Sequence, residues 1–481
     1  MTIPEPRQLD LDWAEKRWQD PLTGTDVVCL SPNRKMHFRN NYYSLNMMTW
    51  DGRYVVFLGH DDIRDGVGVG NRSMWARDMI TGEVRELGPF PEVPESLVPF
   101  IRSTNDAGHW AVARYSHRVN AWDMSDPDAW TIIQYDIDTS GQRRIVPSQP
   151  IGGRPYFPNF SADERHLYVQ QKEKFQRAES MDAEAFRQMI AHEPGPQQML
   201  RIDLETGEVE LAHENVRHDG VFNLEHPMPH PVHSNIFFSG ARILDFDTGE
   251  WLDHLDDPAY PRWHGQGHIH WAQGGKRFYS HQWPSPNVHC ISRVDLETGE
   301  NRWWAGMPHT GFSQHCHISP DESFLVGDGY EFDRNTLPPE IRTELQARID
   351  DGRADPVWCE FYLRDDLTNG GEVIWKYELP EESVLDDPKY WRDYDHMYEA
   401  YRHENARLLD ADVIQNPDKL VRATPVCTFR TMLRSPQMLG YRLESNAHVT
   451  PDSRWAVFQS SSEDNLYEVW AARVPGAVDS E

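Results

Sequence analysis

The sequence predicts an all-β chain, a seven-bladed β-propeller with helical insertions, on three observations. An apolar strand after a polar turn recurs seven times, a hairpin signature of the type Asp-x-x-Thr-Gly-Glu alternates with it, and 34 prolines, 31 glycines and 18 tryptophans are spread along 481 residues. The first motif runs through Thr49–Phe57, Asn105–Val112, Ser161–Val169, Gln273–Tyr279, Ser319–Val326 and Thr450–Phe458, with a less regular copy at His233–Phe238. The second runs through Asp78–Glu83, Asp136–Gly141, Asp203–Glu208, Asp245–Glu250 and Asp295–Glu300, with a looser copy at Asp365–Gly370. Its glycine supplies the positive φ that a tight hairpin needs. One motif of each kind every roughly 45–70 residues is the spacing of propeller blades. A stack of β-sandwiches would not explain the alternation.

The surplus length falls in three stretches with helical patterning, near 172–196, 336–352 and 388–410; in the second, Ile341, Leu345 and Ile349 share a face. Packing over the propeller face and a lid over the channel mouth are both open for them. No Pro-, Gly- or Ser-rich boundary divides the chain, so a single domain over 1–481 is expected.

With 77 acidic against 47 basic residues, the formal charge is -30. Such a surface repels nucleic acid and anionic membrane, but it allows a small anionic substrate where the site carries local positive charge. The five cysteines (Cys29, Cys290, Cys316, Cys359, Cys427) are dispersed and lack CxxC spacing, which fits a reducing compartment rather than a disulfide framework. The N-terminus carries no apolar signal core and no stretch is long enough to span a bilayer, so a soluble cytoplasmic protein is expected.

Histidines stand at matched points of the repeat. Residues two apart on a strand share a face, so His268 pairs with His270 and His315 with His317, and a third copy carries His448. Aligning the copies on the polar turn gives Met47, Ser103, Asn159, His270, His317 and His448 as channel-facing equivalents, with Leu45, Phe157, His268, His315 and Asn446 two residues upstream. The neighbouring copy adds His226, His230 and His233. The channel is thus apolar or neutral on one side and rich in imidazole on the other. Imidazole suits Mn, Fe, Co, Ni or Zn better than Ca or Mg, and Gln314 and Glu444 could add an oxygen ligand. Arg39, Arg154 and Arg442 lie just upstream of inner strands and could clamp a carboxylate. Trp263, Trp283, Trp303 and Trp304 could stack on sugars or fill the core. Nothing resembles a P-loop, a GxSxG elbow or a GxGxxG turn after a strand.

These residues resemble the oligogalacturonate lyases, cytoplasmic seven-bladed propellers that cleave short pectin oligomers by β-elimination with Mn²⁺. The resemblance is carried by Asp20–Asp26, His37–Tyr43, Thr49–Gly52, Met199–Glu208, His226–Met228, His268 with Trp271, His315 with Val326–Gly329, and Thr450–Asp452. It implies a metal-binding histidine at His268, a general base at His226 and a matched histidine at His315. The family's Gln-x-x-His-x-His stretch in the last blade reads Tyr441–His448 here, with the glutamine and both histidines replaced and His448 shifted by two. The resemblance therefore implies a rebuilt site with His268, His315, His317 and His448 on a divalent metal, most simply Mn²⁺; a metal-free relative stays open. His226 is the expected base and Arg39 its catalytic partner, with Gln314, Arg442 and His270 on the substrate, an acidic oligosaccharide. A different uronic-acid oligomer, or a non-catalytic interaction scaffold, are the alternatives.

Overall fold

The computed structural model describes residues 5–20, 23–41, 45–64, 67–91, 110–126, 129–151, 155–172, 197–215, 228–239, 242–250, 252, 269–285, 288–305, 315–328, 343, 347, 371–387, 415–430, 445–461 and 466–477. They form seven antiparallel sheets, numbered here by chain order of the inner strand. Sheet 1 is His37–Arg39, Tyr54–Arg64, Val67–Asp78 and Val84–Pro89, paired in that order. Sheets 2, 3, 5 and 6 also have four strands, beginning with inner strands Trp110–Val112, Pro155–Phe160, Ile269–Trp271 and Cys316–Ile318. Sheet 4 has three: Met228–Pro229, Ile236–Ser239 and Arg242–Asp245. In sheet 7, His448–Val449, Trp455–Ser461 and Tyr467–Arg473 are joined by Asp26–Cys29 and Arg17–Gln19 from the other end of the chain. Among the described residues the propeller therefore has six complete blades and a three-stranded sheet in the fourth position.

The two sequence motifs hold each blade together. In the polar turn, a hydroxyl and a carboxylate satisfy the backbone. Thr49 donates to Asp51 at 2.7 Å and its oxygen accepts the Tyr54 N–H at 3.0 Å, while Thr450 and Asp452 make the first contact at 2.6 Å. The arginine after that turn reaches the aspartate of the hairpin. Arg53 meets Asp78 at 3.0 Å, Arg165 meets Asp203 at 2.9 Å and Arg277 meets Asp295 at 3.1 Å. Asp78, Asp203, Asp245 and Asp295 each also accept two backbone N–H groups, as Asp203 does from Glu205 and Thr206 at 2.8 and 3.0 Å. That mutual bracing explains why the two motifs alternate.

The core lies between neighbouring blades. Trp110, Trp122, Trp130, Trp304 and Trp470 are almost wholly buried there, and Trp303 is buried too. Trp303 and Trp304 are thus core rather than sugar platforms. Trp263 lies outside the described residues. Cys29, Cys290, Cys316 and Cys427 are buried, and Cys316 packs with Ile318 and Leu325.

Two expectations are corrected or left aside. In sheet 2 the inner strand is Trp110–Val112, and its turn is Ala113–His117, where the Ala113 N–H bonds the Arg118 carbonyl. The residues expected to form that turn, 105–109, and Ser103 precede this strand and lie outside the described residues. The helical stretches near 172–196, 336–352 and 388–410 lie almost wholly outside them as well, with only Thr343 and Ala347 helical in the second. The named helical elements among the described residues are two 3₁₀ turns, Val384–Asp386 and Pro417–Lys419, and no described helix is long and apolar enough to cross a membrane.

Candidate functional site

In six sheets the turn leading into the second strand is closed by the same backbone bond: Thr49 N–H to Tyr54 O, Ala113 to Arg118, Ser161 to His166, Ala272 to Arg277, Ser319 to Phe324 and Thr450 to Trp455. Stepping back two residues from each places Met47, Ala111, Asn159, His270, His317 and His448 at one level, with Met228 at the corresponding point of sheet 4. On sheets 5, 6 and 7 the imidazoles are neighbours. The His270 and His317 ring centroids are 5.6 Å apart, and His317 and His448 5.3 Å apart. The rest of this level is aliphatic, thioether or amide.

Two of the three, His317 and His448, are kept uncharged. Burial pushes His317 down to about 3, helped by the nearby His448 and by the positive charge of Arg114. Burial also pushes His448 down to about 4, although the Asn41 carbonyl opposes it. His448 Nε2 lies 3.2 Å from that carbonyl, so it carries the hydrogen and Nδ1 keeps the lone pair. His317 is set the other way: its Nδ1 accepts the Val449 N–H at 3.4 Å, which leaves the hydrogen on Nε2. One level up, His315 is buried with Nδ1 3.7 Å from the Asp328 carboxylate. The other oxygen of Asp328 accepts from the Ser445 hydroxyl and the Asn446 N–H at 3.0 and 3.1 Å, so the carboxylate is fixed from the last blade.

Towards the turns the row opens into a small cavity of about 110 Å³. His270 and His317 line it, with Asn46 and Asn159 along the wall and Trp50, Arg114 and Gln273 at the mouth. Met228 and His230 form the wall from sheet 4. His230 is also held neutral, pushed by burial down to about 4, and its Nε2 lies 2.9 Å from the Gly275 carbonyl.

Of the residues singled out from sequence, His270, His317 and His448 come together, and His315 joins them one level up. His226, His268, Gln314 and Arg442 lie outside the described residues, as do Arg154 and Glu444. Arg39 is buried on the inner strand of sheet 1, close enough to lower the pKa of Tyr467 against the burial that raises it, and it is not among the residues lining the cavity. Sequence reading missed Arg114 because it placed the sheet 2 turn eight residues early. It also missed Asp328, whose only signal was its place in Val326–Gly329.

The described imidazoles do not by themselves fit a metal centre. No three His, Cys, Asp or Glu side chains among the described residues are placed to hold an ion. Of the expected set, His315, His317 and His448 are among the described residues and His268 lies outside them.

No family model and no curated protein matches the sequence. Solved structures do. The chain is similar to an oligogalacturonate lyase in complex with manganese, at 16% identity over 98% of this chain and 97% of that one, with a TM-score of 0.58. It is also similar to an oligogalacturonate lyase from Vibrio parahaemolyticus, at 16% identity over 96% and 97% of the two chains, with a TM-score of 0.59. At such identity the likeness establishes a shared propeller fold over nearly the whole length.

Proposed function

We propose that this protein is a lyase that cleaves short uronate-containing oligosaccharides by β-elimination, releasing unsaturated products. One observation carries the reading: imidazoles at one level of three consecutive blades, two of them held neutral by burial, inside a propeller that shares its fold end to end with oligogalacturonate lyases. β-Elimination removes the proton α to the carboxylate and expels the glycosidic oxygen at C4. That proton is released only where charge or hydrogen-bond donors meet the developing enediolate.

The residues divide this work by their protonation. An imidazole held at about 3 or 4 is too weak a base to take that proton near neutrality. His317 therefore serves as a donor to a sugar hydroxyl, with His270 beside it, and His448, buried against His317, positions that ring. His315, oriented by Asp328, completes the row. In this reading His226 is the base, and Gln314 and Arg442 hold the substrate; no step is assigned to a metal. The changed last blade, with Asn446 and His448 in place of the family's ligand pattern, favours a uronic acid other than galacturonate as the unit recognised.

The test is a panel of uronate oligomers of differing sugar and linkage, incubated with manganese-supplemented protein and followed by ultraviolet absorbance. An absorbing unsaturated product from at least one oligomer is expected. A folded protein that yields none across the panel contradicts the reading.

A further inference from the structure

Sheet 7 carries the end of the imidazole row on a short inner strand. The strand is only His448–Val449, paired with Val457 and Ala456. Just before it, Asn446 takes a φ of 46, a left-handed conformation that interrupts an extended strand and that asparagine tolerates. Beyond that pairing its own sheet adds one bond here, from the Gln459 N–H to the Ser445 carbonyl at 2.9 Å. Neighbouring blades supply the rest of the hold. Asn40, directly after the inner strand of sheet 1, donates its amide hydrogens to the Ser445 carbonyl at 2.8 Å and the Asn446 carbonyl at 2.9 Å. From the other side, the Asp328 carboxylate takes the Ser445 hydroxyl and the Asn446 N–H. Asn41 donates to the Trp110 carbonyl at 2.9 Å, so the same pair of asparagines also ties sheet 1 to sheet 2. Asn40, Asn41 and Ser445 are almost wholly buried.

The segment from Ser445 to Val449 in turn sets two tautomers. The Val449 N–H meets His317 Nδ1, and His448 Nε2 meets the Asn41 carbonyl. Which ring nitrogen carries the hydrogen is decided by the bond that the other one makes. The hydrogen on His317 Nε2 therefore depends on a peptide of the next blade, and the place of that peptide depends on Asn40. The margin is small, because the Val449 contact at 3.4 Å is already at the long end of a hydrogen bond and a retreat of the segment breaks it.

We infer that Asn40 is a positioning residue of the imidazole row: its amide holds the inner segment of sheet 7 where the Val449 N–H and the Asn41 carbonyl fix the tautomers of His317 and His448. Asn40 is not among the residues lining the cavity, so it acts only through that segment. The value of the role to catalysis rests on the lyase reading, in which His317 donates to a sugar hydroxyl; the fixing of the tautomers does not.

Nitrogen NMR of the full chain, labelled in histidine and without added metal, tests it. The His317 and His448 signals are identified by their loss in His317→Gln and His448→Gln. Wild type should show each ring as a single tautomer with its hydrogen on Nε2. Asn40→Ala leaves two buried carbonyls short of a donor, and both rings should move to tautomer-averaged shifts. His230, whose Nε2 meets the Gly275 carbonyl in sheet 4, should keep its wild-type signals, whereas a general loosening of the fold would move it as well. Asn40→Ser keeps one donor, should give a smaller shift, and provides the test should Asn40→Ala fail to fold. On any uronate oligomer that is turned over, Asn40→Ala should cost roughly tenfold in rate and cost nothing further in a His317→Ala background, since it acts through that ring. Unchanged His317 and His448 signals in either folded variant, equal movement of His230, or an additive loss in the double variant would each overturn the inference. Inactivity of the wild type on every oligomer would sink the lyase reading alone and leave the NMR result to decide this one.

Discussion

His117 ties blade 2 to blade 1 through two carboxylates. Its Nδ1 lies 3.0 Å from Asp138 and its Nε2 3.5 Å from Asp51, while the Tyr54 hydroxyl donates to Asp138 at 2.8 Å. The hydrogen bond to Asp51 raises the His117 pKa, with Asp138 adding to it and burial opposing. Asp51 is lowered to about 2: burial opposes this, but bonds from His117, Thr49 and the Arg53 N–H prevail. A raised histidine stabilises fully below its unfolded pKa of about 6.5 and loses that contribution as pH rises through the folded value. The melting-temperature advantage of wild type over His117→Gln should therefore be largest in mild acid and shrink as pH rises above neutrality. An advantage that does not change with pH would contradict the assignment. At this scale the histidine row was legible, because position in a repeat fixes which face a side chain takes. Arg114 was not, because its turn has none of the usual chemistry; His117, with φ 48, takes a positive-φ position without glycine.

The blade is the next scale, and its stability rests on the braced pair of turns. Asp203 is lowered to about 2 although burial opposes it, because the N–H groups of Thr206 and Glu205 and the Arg165 guanidinium all bond to it. Replacing Asp203 with Ala leaves those donors without their acceptor and should cost about 1–3 kcal/mol, read as a lower denaturant midpoint at unchanged slope. A depressed carboxylate stabilises above its unfolded pKa of about 3.9 and loses this as pH falls through the folded value, so the deficit of the variant should narrow only in strong acid. Six sheets could be placed from these two motifs. Sheet 2 was misregistered because Asn105–Gly108 looks like a turn and Ala113–His117 does not, so the sequence signal pointed to the wrong side of the Trp110–Val112 strand.

At the scale of the whole molecule, the ring is closed by pairing the two ends of the chain. Val27 lies opposite Ala472 and Cys29 opposite Trp470 in sheet 7. Asp20 secures the join to sheet 6: one oxygen accepts the Thr428 N–H at 2.8 Å and its hydroxyl at 2.5 Å, and the other accepts the Thr23 N–H at 3.0 Å. Asp20→Ala should lower the stability of the entire ring by about 1–3 kcal/mol. Calorimetry would then show the whole transition displaced, whereas a separate early transition would contradict closure by this contact. No pattern in the sequence announced the closure, since strand pairing between distant segments leaves no local periodicity. What the repeat did disclose was the side of the channel on which the imidazoles gather, and the function proposed here depends on that asymmetry. Ultraviolet-monitored turnover of uronate oligomers by wild type, His317→Ala and His448→Ala, each shown to melt as a folded protein, tests it most directly. The account predicts an absorbing product from wild type and a loss of at least roughly tenfold in both variants; variants as active as wild type would contradict it.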